Sequence, residues 1–179
     1  MATIITHPIP ALVVNQFTKD IPSKRSLLMY SILLTILPDA DVIGFGLGIQ
    51  YEDMLGHRGF SHSIVFALLV SFLIAKFRLK YTGKYLYQGV IVLFLSTISH
   101  GILDGFTNGG LGVGYFIPFD STRYFFPFTP IEVSPIGIRN FLSMRGLEVL
   151  WSEAKLVWIP SMLIFLSYLV FKKLQKRKG

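Results

Sequence analysis

Apolar residues gather in four runs, 27–37, 64–75, 86–98 and 156–171, each edged by polar or basic residues. The first three are 11–13 residues long, short of the ~20 that a helix needs to cross a bilayer. The pattern predicts hydrophobic helices over 8–18, 26–38, 62–75, 85–103 and 156–171, some stopping partway or continuing through polar positions. Residues 104–150 differ in kind: "NGGLGVG" leads into "YFIPFDSTRYFFPFTPIEVSPIG". Prolines at 118, 127, 130 and 135 forbid a continuous helix there. The aromatic content predicts a packed loop, because disordered segments are poor in aromatics. At its end, residues 139–154 suit a short amphipathic helix at the membrane interface, with Leu142, Leu147 and Leu150 on one side. The expected fold is one domain over 1–179, an all-α integral membrane protein: a bundle of about five mostly short helices with one long Gly/Pro/aromatic loop.

Composition supports the membrane reading. The chain is 52% hydrophobic and 15% charged, with a mean hydropathy of +0.57, above ordinary soluble domains. The opening "MATIITHPIP" lacks the basic n-region of a secretory signal, so the helices are expected to be retained. A net charge of +7 falls into three clusters: Lys19, Lys24 and Arg25; Lys76, Arg78, Lys80 and Lys84; and Lys172, Lys173, Lys176, Arg177 and Lys178. Each abuts an apolar run, the distribution of cytoplasmic loops. That places the C-terminus in the cytoplasm and makes anionic headgroups, rather than nucleic acid, the natural partner of the charge. The absence of cysteine removes disulfides, thiolate zinc sites and cysteine nucleophiles.

The rare polar residues then fall at one level. His7 starts the first helix, Asp39 and Asp41 end the second, and His57 and His62 precede the third. His100 and Asp104, four apart on one face of the fourth, sit near its far end. Most of them lie about 18–24 Å along a helix from a basic cluster. Taken singly, His7 and Asp39 read as helix-start residues and His100–Asp104 as a buried hydrogen-bonded pair; only a shared site explains the common depth. Imidazoles and carboxylates without thiolates suit zinc, manganese or iron, and ionisable groups at membrane depth mark function. The number of groups allows two ions, which would clamp a displacement at phosphorus, or one zinc with the remainder behind it.

"LPDADVIG", "HRGFSHS", "SHGILDGFTNGG" and "RYFFPFTPIEVSP", in this order, resemble the YdjM-like family of inner-membrane metal-dependent hydrolases, also described as LexA-binding. The resemblance covers nearly the whole chain. That family is in turn distantly similar to zinc-dependent phospholipase C and the single-strand-specific zinc nucleases, which implies phosphoester hydrolysis by analogy. Under this reading the ligands are His7, Asp39, His57, His62, His100 and Asp104, holding one or two ions, zinc or alternatively manganese. Asp41 is a ligand or stands behind one, and Asp41 or Asp39 accepts a proton from water. Arg58 and Arg123 are candidate phosphate forks, while Ser61 and Ser63 orient the histidines. Glu132 has little support as a site residue, and the glycines at 109, 110, 112 and 114 read as a flexible connection, since no "GK[ST]" follows. The substrate expected is a lipid or other phosphoester. Two other readings account for part of the pattern: a transporter relaying protons or cations, and an adaptor whose basic face binds a soluble regulator.

Overall fold

The structure, a computed structural model, describes residues 1–18, 20–135 and 141–178. Lys19 lies outside the described residues, as do the side chains of Lys176, Arg177 and Lys178. Proline in the first turn loses no helical hydrogen bond, and α1 runs Pro8–Gln16. α2 spans Lys24–Ile36. Pro38 then withholds an N–H, and the chain tightens into a 3-10 helix over Leu37–Leu47 with Asp39 in its first turn. α3, Ile64–Leu73, begins at Ser63, whose hydroxyl accepts the Phe66 N–H at 3.1 Å. α4 is Gly83–Gly105. α5, Met144–Glu153, passes through a wide turn at Ala154–Trp158 into α6, Ile159–Lys178.

Among the described residues the molecule is helical apart from two isolated bridges, as the pattern predicts. Among the described residues, three stretches are long and apolar enough to cross a membrane: Lys24–Leu47, Gly83–Gly105 and Met144–Gln175. α1 and α3, at 9 and 10 residues, are too short to cross alone. The last stretch corrects the expectation of an interfacial helix separate from the run at 156–171. The wide turn carries the helix across the junction without a break, and residues 139–140 lie outside the described residues. Leu142 and Leu147 do share an outward side, but the inward side of α5 is Gly146, Val149, Ser152 and Glu153.

α4 is the central helix, packed on α1, α2 and α3. Its buried residues Val92, Leu93, Ser96, Thr97, His100 and Asp104 recur every three or four positions, which is one helix face. Ser96 and Thr97 donate to the Val92 and Leu93 carbonyls at 2.7 and 2.8 Å, so their hydroxyls enter the core satisfied. Below them, Leu93 packs with Leu27 and Leu34 of α2 and with Ala75. Leu33, Phe72, Ile91 and Leu163 are exposed, an apolar exterior that suits lipid.

The loop after α4 closes over that helix's C-terminal end. The Phe126 N–H donates to the Gly105 carbonyl at 3.0 Å, and the Tyr115 hydroxyl donates to the Gly101 carbonyl at 2.8 Å. Phe106 and Phe126 stack with centroids 4.2 Å apart. The approach requires a bare helix surface: a Cβ on Gly105 would meet the Tyr115 hydroxyl and the Phe126 ring. Gly105→Ala is expected to cost about 1–3 kcal/mol, read as a lower Tm in detergent and faster proteolysis between residues 107 and 131.

Candidate metal centre

Three segments bring four side chains to one point under this loop. The 3-10 turn after Pro38 supplies Asp39, a one-turn 3-10 helix at Phe60–His62 supplies His62, and the last turns of α4 supply His100 and Asp104. One donor atom from each of these four residues lies within 4.8 Å of the other three. Asp39 Oδ1 is 3.3 Å from His100 Nε2 and 3.7 Å from His62 Nε2; Asp104 Oδ2 is 3.7 Å from His62 Nε2 and 3.8 Å from His100 Nε2. Metal–ligand bonds of 2.0–2.1 Å at the tetrahedral angle set donors about 3.3–3.4 Å apart, so an ion fits with shifts of a few tenths of an ångström. All four atoms are buried and make no hydrogen bond, although Asp104 Oδ2 also lies 3.0 Å from Arg58 Nε. Buried polar atoms are normally hydrogen-bonded; four that are not, facing one another, are what a cation satisfies.

The surroundings set the ring tautomers. His100 Nδ1 lies 2.7 Å from the Thr35 carbonyl, which can only accept, so the proton is on Nδ1 and the lone pair on Nε2. Ser61 donates to Asp41 Oδ2 at 2.6 Å, which leaves its oxygen to accept from His62 Nδ1 at 3.0 Å and frees His62 Nε2. Asp41 also takes His57 Nδ1 on Oδ1 at 2.7 Å and the Arg58 N–H on Oδ2 at 3.1 Å. Asp104 is paired with the Arg58 guanidinium, whereas Asp39 faces His62 and His100 and Asp41 faces His57 and His62. A divalent cation between Asp39 and Asp104 offsets their mutual repulsion.

The chain matches the model of the family described as "YdjM inner membrane protein" over residues 1–178. It belongs to the YdjM family. The inner membrane protein YbcI of Escherichia coli (strain K12) is 38% identical over 166 residues, covering 92% of this chain and 95% of that protein. No solved structure matches. Membership and the three long apolar stretches together make this a membrane protein.

In this YdjM-family chain, several residues proposed from sequence occupy other places than expected. His57 does not join the four; its Nδ1 is bound to Asp41, and the pair forms a second group with His62 able to hold an ion. His7 is fully buried and stacks on His100 with centroids 3.7 Å apart, its Nε2 3.8 Å from Asp104 Oδ1. Burial first, then the neighbouring His100, lowers its pKa to about 3, so it remains neutral. It borders the four donors without belonging to either group.

Neither arginine presents the fork expected for phosphate. Arg58 is wholly buried, with Nε 3.0 Å from Asp104 Oδ2 and its terminal nitrogens donating to the Gly109 carbonyl and the Thr107 hydroxyl. Arg123 donates to the carbonyls of His57, Tyr51 and Asp53 and so closes the loop that carries His57. Both are consumed by structure, because their donors complete backbone and side-chain acceptors from distant segments. Ser61 touches His62 as expected, whereas Ser63 caps α3 instead. Glu132 pairs with Arg145 and Asn108 at the surface. The glycine run is not merely a connector: Gly110 has φ +89°, and a Cβ there would meet Tyr51 and the Arg58 guanidinium.

Glu153 escapes the sequence reading. It is fully buried on α5 and accepts from the Thr3 N–H and from the Thr3 and Thr6 hydroxyls. It thereby fixes the N-terminal turn whose Ala2 N–H donates to Asp104 Oδ1 at 2.9 Å. The signal for it is a carboxylate beside an apolar run, which by itself marks a partnered group.

Proposed function

We propose that this protein is a membrane-embedded, metal-dependent hydrolase that cleaves a phosphoester bond, with a membrane lipid as the natural substrate class. The observation that carries the reading is the meeting of four buried donors that make no hydrogen bond, Asp39 Oδ1, His62 Nε2, His100 Nε2 and Asp104 Oδ2. Two imidazoles and two carboxylates suit zinc, with manganese second. Such an ion supplies Lewis-acid activation of water and of a phosphoryl group. Asp39 and Asp104 are spent on holding it. Asp41 is the carboxylate left over, and with His57 on its Oδ1 it forms an acid–base pair beside the centre. Arg58 holds Asp104 in place, and the loop over the end of α4 shields the centre from bulk water. The gathering of His and Asp at one end of the spans favours hydrolysis over a relay strung across the membrane. The basic clusters still leave room for a soluble regulator on the opposite side.

Metal analysis of protein purified in detergent tests this, together with a panel of phosphoester substrates that includes phospholipids. One divalent ion per chain is expected, with turnover lost on chelation and restored by zinc or manganese. Protein without bound metal, or turnover indifferent to the chelator, overturns it.

A further inference from the structure

A groove of about 650 Å³ runs down the outer flank of α1, between α2 and α6. Its walls are apolar, with Leu12 of α1, Leu28 of α2, and Trp158 and Phe165 on the α6 side. Apart from Ser161, its polar lining is confined to one end, at Asn15, Gln16 and Lys24. That is the end of α1 remote from His7, about 13 Å away at 1.5 Å per residue.

Two features at this end call for a ligand. Asn15 is 3% exposed and donates to the Ala11 carbonyl at 2.9 Å, leaving its Oδ1 buried and without a partner. Both amide atoms of Gln16 are also buried without partners among the described residues. An apolar groove that ends in unpaired amides needs an amphipathic occupant, since an acyl chain alone leaves those groups unsatisfied. Charge adds a second constraint. Lys24 is exposed, donates to the Thr18 carbonyl at 2.8 Å and has no acidic partner among the described residues; Arg25 beside it has none either.

We propose that this groove binds an anionic phospholipid bearing headgroup hydroxyls, as in phosphatidylglycerol. One acyl chain lies along α1 against Leu12, Leu28 and Phe165. The headgroup meets the polar end: Gln16 Nε2 donates to a phosphate or ester oxygen, Asn15 Oδ1 and Gln16 Oε1 accept from hydroxyls, and Lys24 supplies the countercharge. The site lies away from the His/Asp centre and stands or falls independently of it.

The chain has two tryptophans, Trp151 and Trp158, and Trp158 lines the groove. A Trp151→Phe variant in detergent micelles therefore reports occupancy when titrated with phospholipids brominated on the acyl chains. Saturable quenching is expected with phosphatidylglycerol, and much weaker quenching with phosphatidylcholine. Adding Lys24→Gln, an exposed change, should weaken the phosphatidylglycerol response about fivefold, the worth of one basic residue at an anionic surface. Gln16→Leu should weaken it further, and inorganic phosphate should leave it unchanged. Quenching that rises linearly and equally for both lipids would reduce the groove to ordinary annular contact and overturn the proposal. So would a Lys24→Gln response equal to that of its parent, or displacement by inorganic phosphate.

Discussion

Asp104→Ala is expected to abolish stoichiometric metal binding and to destabilise the protein by about 3–5 kcal/mol, the cost of leaving one partner of a buried ion pair uncompensated. Both effects come from one carboxylate. Its Oδ2 belongs to the four-donor set and lies 3.0 Å from Arg58 Nε, while its Oδ1 accepts the Ala2 N–H. A double variant, Arg58→Met with Asp104→Ala, separates the two roles by removing the stranded guanidinium. It should recover a large part of the lost stability and none of the metal. Thermal unfolding in detergent and metal content per chain read the two quantities independently. Retention of a full equivalent of metal in Asp104→Ala would remove this residue from the ligand set.

The second large effect is expected at His62. His62→Ala removes a direct donor and should weaken metal affinity by more than the roughly 10–100-fold that loss of an outer partner typically costs. Asp41→Asn is the matched comparison, since Asp41 holds Ser61 and the Nδ1 side of His62 while its own oxygens are occupied. It should fall within that outer range and leave the stoichiometry unchanged. A chelator competition titration on both variants decides the order. Equal losses would mean that Asp41 and His62 act on the ion in the same way, contrary to the geometry.

Much of this centre is legible along the chain. In a sequence that is 15% charged, histidines and aspartates placed at matching distances from basic clusters point to one shared pocket. Asp39, His62, His100 and Asp104 emerge from that logic and do meet. His57 emerges with equal force and falls in the second group, with Asp41 and His62, because five positions of chain separate it from His62 and the intervening turn sets its Nδ1 on Asp41. The arginines are less legible. An arginine near histidines reads as a phosphate fork, but whether its donors are free depends on acceptors contributed by other segments. For Arg58 those are Thr107 and Gly109, about fifty positions further on, and for Arg123 they lie about seventy positions back.

The sequence by itself determined most of the helices, their apolar exteriors and which helix ends carry the ionisable groups, because hydrophobic period, proline placement and charge clustering act over one or two helical turns. Tertiary structure decided which nitrogen of each ring faces inward, which carboxylate carries the hydrogen-bond load and which arginine is spent on packing. The Thr35 carbonyl sets the His100 tautomer from 65 positions away, and Glu153 fixes the N-terminal turn from 150 positions away. Those assignments follow from directional bonds between distant segments, and such bonds exist only once the helices have packed.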